Sequence, residues 1–290
     1  MIHFLNISDI SSSDIEEIIT QASVLKTTQA KPLANKAVGM IFEKPSNRTR
    51  LSFEVGVHQL GGKAVYIKGD EIQMGDREPI SHVSRVMSRY FDMIVYRTKD
   101  HLVLEEFAKY ASVPVINGLS DQSHPCQAVA DALTIKNVFG GFEEVFLTYV
   151  GDGNNVCRSL MEIAVKCGFK MAVVSPRSYA PNSVPEGIIL TDSINEVIER
   201  TNVLYTDVWV SMGDEAQAKQ RLNDFSLYQI SEDMMSRAKD DVIFLHCLPA
   251  NLGQEVTHEV FESPASRVFD QAENRLHAQN AIMNWLMKGN

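Results

Sequence analysis

The 290-residue chain has only four cysteines and two tryptophans, and it has no CxxC pair. Cys126, Cys157, Cys167 and Cys247 are too scattered for a disulfide framework or a zinc site, which points to reduced thiols and a cytoplasmic setting. No window approaches the roughly 18 uninterrupted apolar residues of a membrane span. Met1–Asp9 lacks the basic and apolar segments of a secretory signal, so secretion is not expected. Positive charge is scarce: 27 Lys and Arg against 37 Asp and Glu leave a net −10. That balance disfavours nucleic acid and anionic membranes as partners. A chain this acidic binds an anion only by gathering its positive charge in one place.

What is present is an alternation of apolar, β-rich runs with helical patterns. After a helix over Ser13–Leu25, the runs Ala37–Phe42, Lys63–Ile67, Met93–Tyr96 and Val113–Asn117 form one series. Val145–Val150, Lys170–Ser175, Val203–Asp207 and Val242–His246 form a second. Strands alternating with helices predict parallel sheets covered by helices. Two such series predict an α/β protein of two domains, each a parallel sheet flanked by helices. The helix Gln127–Phe139, ended by Gly140-Gly141, joins them. Residues 1–133 and 134–271 are the expected domains. A final helix, Ala272–Met287, has no strand after it, and the segment 272–290 is expected to pack back on the first domain.

Every candidate site lies where a strand of such a sheet ends, the place where open α/β folds bind ligands. Ser46-Asn47-Arg48-Thr49-Arg50 stands between a strand and a helix. Unpaired N–H groups, the helix dipole and two guanidinium forks suit a phosphate there, although a capped surface helix has the same outline. Arg97 follows a strand. His124-Pro125-Cys126-Gln127 precedes a helix, and Pro125 fixes the turn so that His124 and Gln127 share one side.

Gly151-Asp152-Gly153-Asn154-Asn155 has the outline of a dinucleotide loop. It lacks the third glycine, and the next strand ends in Ser175-Pro176 rather than in an acidic residue, so a nicotinamide cofactor is not expected. The turn would deliver Asn155 to a ligand. Asp207 with Ser211-Met212-Gly213 offers an acid and a hydroxyl that suit the two ends of an amino acid. His246-Cys247-Leu248-Pro249 pairs a thiol with an imidazole, but neighbours on a strand face opposite ways, so a Cys–His dyad is not expected. Glu273-Asn274-Arg275 would open the last helix.

Together these residues resemble the aspartate/ornithine carbamoyltransferase family. Ser46–Arg50 is similar to its S-T-R-T-R signature and His124–Gln127 to its H-P-x-Q. Asp207…Ser211-Met212-Gly213 and His246–Pro249 are similar to D-x-x-x-S-M-G and H-C-L-P of the ornithine branch. The resemblance runs from about Ile41 to Arg275. Asn47 departs from the usual threonine, Asp214 from a frequent glutamine, and Asn251-Leu252 from an aromatic followed by a polar residue.

The resemblance implies two α/β domains facing each other across a cleft, with no metal and no organic cofactor. It also implies a homotrimer, or a multiple of trimers, with sites at subunit interfaces. The implied reaction is carbamoyl phosphate plus L-ornithine giving L-citrulline and phosphate, within arginine biosynthesis. It assigns carbamoyl phosphate to Ser46, Asn47, Arg48, Thr49, Gln73, Arg97, His124, Gln127, Cys247, Leu248 and Arg275, with Gln73 reaching into a neighbour's site. Ornithine falls to Asn155, Asp207, Ser211 and Met212. Arg97, His124, Cys247 and Asp207 carry the catalysis, Cys247 by position and polarity rather than as a nucleophile. Arg50 would add to the positive field. The alternatives are a carbamoyltransferase for putrescine or an acylated ornithine, or a non-catalytic binding protein. A P-loop phosphotransferase is disfavoured, because no G-x-x-x-x-G-K-[ST] occurs.

Overall fold

The computed structural model describes residues 1–28, 30–210 and 215–289. The chain divides into two compact units, Met1–Ala130 with Asn274–Asn290 and Asp131–Glu273.

The first unit opens with α1 (Ser12–Thr27), whose N-cap Ser11 accepts a hydrogen bond from the Asp14 N–H. There follow β1 (Ala37–Phe42), α2 (Asn47–Gln59), β2 (Lys63–Lys68), α3 (Gly69–Ile72), α4 (Ile80–Tyr90), β3 (Met93–Arg97), α5 (His101–Tyr110) and β4 (Val115–Leu119). The sheet is parallel throughout, in the order β2-β1-β3-β4. β3 is buried along its whole length, as a parallel strand covered on both faces should be. Edge strand β2 holds only exposed and half-buried residues. Ile41, Ile94, Tyr96 and Val115 of the sheet pack with Leu104 and Phe107 of α5 in one core.

The helix α6 (Pro125–Phe139) leads into the second unit, which contains β5 (Phe146–Val150), α7 (Asn155–Cys167), β6 (Lys170–Val174), β7 (Ile189–Thr191), β8 (Val203–Thr206), α8 (Ala218–Asp224), α9 (Glu232–Ser236), β9 (Ile243–His246) and α10 (His258–Phe261). Its sheet is also parallel, in the order β7-β6-β5-β8-β9. Val150, Val174, Leu204 and Phe244 form the centre of its core. The last helix, α11 (Val268–Gly289), begins in the second unit and ends in the first. There Asn280 donates to the Gln59 side chain at 3.0 Å, and Lys288 lies 3.5 Å from the Glu17 carboxylate.

Three expectations need correction. The second sheet has five strands rather than four, because β7 is a three-residue edge strand too short to show a period. The last helix starts at Val268, so Arg275 sits about two turns inside it rather than at its opening. Arg97 is the final residue of β3, and Asp207 lies one residue beyond β8.

The strand orders explain where the motifs meet. In the first sheet the connections reverse direction between β1 and β3, and in the second between β5 and β8. A crevice opens outside the carboxyl ends of two strands at such a switch point. Ser46–Thr49 and Arg97 flank the first; Gly151–Asn155 and Asp207 flank the second.

Candidate active site

In the first unit, α2 starts at Asn47, and Ser46 occupies its N-cap without capping it. The Ser46 hydroxyl instead donates to Thr49 Oγ1 at 3.1 Å, so the first N–H groups of α2 stay available to an anion. Thr49 Oγ1 also accepts from Arg97 Nη1 at 3.4 Å and from Arg275 Nη2 at 3.5 Å. Arg275 Nη1 donates to Gln127 Oε1 at 2.7 Å and lies 3.5 Å from His124 Nε2. Residues from α2, β3, the opening of α6 and α11 therefore converge. Thr49, Arg97, His124, Gln127 and Arg275 are all buried.

Two guanidinium groups in one buried cluster are costly unless something negative joins them. Burial first, and then Arg275 and Arg48, pull the Arg97 pKa down to about 10. Arg97 Nε has no hydrogen-bond partner among the described residues. Burial, followed by Arg275 and Arg97, holds the His124 pKa well below its ordinary value. His124 is therefore neutral near pH 7 and can share a proton in a hydrogen bond without adding a third charge. Cys126, between them in sequence, is buried with its thiol pushed up to about 12, which marks it as a packing residue.

Two sequence candidates stay outside this cluster. Arg50 pairs with Glu54 at 3.0 Å and lies over the Tyr66 ring at 4.0 Å. Gln73 is exposed and left-handed (φ 52°) just after α3, where its N–H bonds to the Gly69 carbonyl. Arg48 and Asn47 are exposed on the first turn of α2.

In the second unit Asp207 is the hub. Its Oδ1 accepts from Cys247 Sγ at 3.0 Å and from its neighbour's N–H, Val208, at 2.8 Å. Its Oδ2 accepts from Asn154 Nδ2 at 2.8 Å. Asn155 is half-buried at the first position of α7. Leu248 is half-buried with φ 59°, a strained value for a residue with a side chain, and its N–H donates to His246 Nδ1 at 2.9 Å. Ser211 and Met212 lie outside the described residues, as does Asp214.

Asp207, His246 and Cys247 bring three donor atoms within 4.8 Å of one another, a grouping that could hold a metal ion. Both ring nitrogens of His246 are nevertheless engaged, Nδ1 by Leu248 and Nε2 at 3.2 Å from the buried Glu255 carboxylate. The imidazole therefore shapes the Cys247–Leu248 turn and is not available as a base for the thiol. At the start of α7, Asn154 Oδ1 accepts from the N–H groups of Val156 and Cys157.

Several contributors escaped the sequence reading. The Glu43 carboxylate accepts from the Tyr96 hydroxyl and from Thr98 Oγ1, the residues on either side of Arg97. Arg221 pairs with Asp152 and donates to the Trp209 carbonyl at 2.6 Å, tying the β5–α7 turn to the chain after Asp207. Gln271 Oε1 accepts from the His246 N–H at 2.9 Å. Glu43, directly after β1, carries the signal of a carboxylate at a strand end; Arg221 and Gln271 lie within helices and carry none.

The fold and the two clusters define a two-unit α/β protein with a buried arginine cluster in one unit and a carboxylate–thiol pair in the other. Residues 2–137 match the carbamoyl-P binding domain of aspartate/ornithine carbamoyltransferase, and residues 143–286 match its Asp/Orn binding domain. The chain is 46% identical to the ornithine carbamoyltransferase of Archaeoglobus fulgidus over 98% of its own length and 96% of the relative's. It is also 46% identical to that of Methanosphaera stadtmanae, over 99% and 100%. Among solved structures, the ornithine carbamoyltransferase from Pyrococcus furiosus superposes with a TM-score of 0.95 at 43% identity, covering 99% of this chain and 97% of the other. This chain belongs to the aspartate/ornithine carbamoyltransferase family.

Proposed function

We propose that this protein transfers the carbamoyl group of carbamoyl phosphate to the side-chain amine of L-ornithine, giving L-citrulline and phosphate. The observation that carries the reading is the buried cluster of Arg97 and Arg275 on Thr49, His124 and Gln127, in a chain whose relatives are named ornithine carbamoyltransferases.

Ser46, Asn47, Arg48 and Thr49 at the start of α2 hold the phosphate. Arg97, His124 and Thr49 polarise the carbamoyl oxygen and stabilise the oxyanion that forms on attack, usually the largest single contribution to such a reaction. Gln127, fixed by Arg275, orients the carbamoyl NH2. The amine lone pair attacks the carbamoyl carbon, the bond from that carbon to the phosphate oxygen breaks, and the departing phosphate takes the amine proton.

Ornithine's side-chain amine resembles that of lysine, with a solution pKa of about 10.4, so it must lose a proton before attack. The arginine field favours the neutral form. Asn155, Asp207, Ser211 and Met212 hold the amino-acid end, and Asp207 with Cys247 directs the amine. Cys247 and Leu248 also border the carbamoyl group.

The working assembly is a homotrimer or a multiple of trimers acting in arginine biosynthesis in the cytoplasm. The exposed Leu51 and Val55 of α2 and Val65 of edge strand β2 support assembly, and the outward position of Gln73 fits a residue that serves a neighbouring copy. No helix among the described residues is long and apolar enough to cross a membrane.

The test is product formation from carbamoyl phosphate with ornithine, and in parallel with aspartate, putrescine or acetylornithine. Citrulline from ornithine with little product from the others is expected. Turnover of another amine alone would retain the carbamoyl-phosphate half and overturn the assignment of Asp207.

A further inference from the structure

The β5–α7 turn carries two adjacent asparagines, and only Asn155 is assigned to ornithine. We infer that its neighbour Asn154 is a positioning residue that sets the Asp207 carboxylate for ornithine, and that this place requires asparagine because the two ends of its amide do different work. The inference rests on the function proposed above.

The orientation of the Asn154 amide is fixed by its surroundings. Asn154 is the N-cap of α7, and its Oδ1 accepts from Val156 N–H at 3.0 Å and from Cys157 N–H at 3.1 Å. The Tyr149 hydroxyl approaches the same oxygen at 3.5 Å. Only an acceptor can face those donors, so the NH2 end must point the other way. It meets Asp207 Oδ2 at 2.8 Å.

Asp207 is thus gripped from two sides, by Asn154 on Oδ2 and by Cys247 and Val208 on Oδ1. A carboxylate offers about four acceptor directions, so three donors leave about one for an ammonium group. The direction of that remaining lone pair is set by the other three.

No other common capping residue can fill both roles. Serine, threonine and aspartate each supply the acceptor that the helix start needs. None supplies an N–H that reaches Asp207, and aspartate would press one carboxylate against another. Capping alone and positioning therefore make opposite predictions for Asn154→Asp. As a cap, aspartate is as good as asparagine and adds favourable charge at the helix start. As a partner for Asp207 it is the worst choice.

The experiment measures KM for ornithine and for carbamoyl phosphate, kcat and thermal midpoint in the unaltered protein, Asn154→Asp and Asn154→Ser. In Asn154→Asp, the ornithine KM should rise about tenfold or more, the loss expected for a hydrogen bond to a charged group, while the carbamoyl-phosphate KM stays within about twofold. Asn154→Ser should show the same split to a smaller degree. An ornithine KM for Asn154→Asp within about twofold of the unaltered protein overturns the inference. So does an equal rise in both KM values, which marks general damage; should Asn154→Asp fail to fold, Asn154→Ser decides by the same criteria. An unaltered protein that forms no citrulline from ornithine removes the function itself, and that result is read before any variant is compared.

Discussion

Arg97 and His124, both placed in the proposed site, are buried at the expense of local comfort. Arg97 is 5% exposed and lies in the field of Arg275, with its Nε unpartnered among the described residues. Removing its charge relieves like-charge repulsion, so Arg97→Ala should keep or raise the thermal midpoint. It should also cut kcat by about 100-fold or more, as the loss of an oxyanion donor does. Paired melting curves and steady-state rates check both halves, and near-normal turnover would remove Arg97 from the oxyanion role.

His124 yields a pH prediction. Its folded pKa lies well below the ordinary value, so in acid the unfolded chain takes up a proton that the folded chain does not. Stability from this group is full above the unfolded pKa of about 6.5 and falls as pH drops below it. Between about pH 7.5 and about pH 5 the unaltered protein should lose more stability than His124→Gln does. Equal losses in denaturant titrations at the two pH values would contradict the assignment of a neutral His124.

At the scale of elements, the β5–α7 turn depends on close approach of backbone to backbone. A side chain at Gly153 would put its Cβ 2.4 Å from the Pro181 nitrogen and 2.8 Å from the Tyr179 carbonyl, and neither is a flexible group that can move aside. Gly153 N–H also donates to that Tyr179 carbonyl at 2.8 Å. Gly153→Ala should therefore cost about 1–3 kcal/mol as overpacking. Because Asn154 follows directly, the ornithine KM should rise while the carbamoyl-phosphate KM changes little. A variant with an unchanged midpoint in thermal unfolding would show that the two loops separate cheaply.

For the whole molecule, the proposed trimer makes Gln73 and Arg97 of one chain serve different sites. Gln73→Ala and Arg97→Ala should each be poorly active alone. Chains of the two variants, unfolded, mixed and refolded together, should form some sites that draw an intact Gln73 and an intact Arg97 from different copies. Activity above that of either variant is the expected outcome, and light scattering should report about three times 32.4 kDa or a multiple of it. A mixture no more active than its components would place Gln73 in its own chain's site or in none.

The alternation of strands and helices is legible in the residues alone, because burial on both faces writes β1, β3 and β5 as short, mostly apolar runs with helical spacing between them. Sequence also showed Ser46–Arg50 and His124–Gln127, whose residue types are bound to local chemistry at a helix start. The three-residue strand β7 and the true start of α11 left too little periodic signal to read. Tertiary structure alone decided which strand ends stand side by side. The orders β2-β1-β3-β4 and β7-β6-β5-β8-β9 put Thr49 against Arg97 and Asn154 against Asp207, across separations of 48 and 53 residues. Strand order comes from long-range packing that no local pattern records. The same holds for the Asn154 amide, whose direction is fixed only when its helix start and the Asp207 carboxylate are both in place.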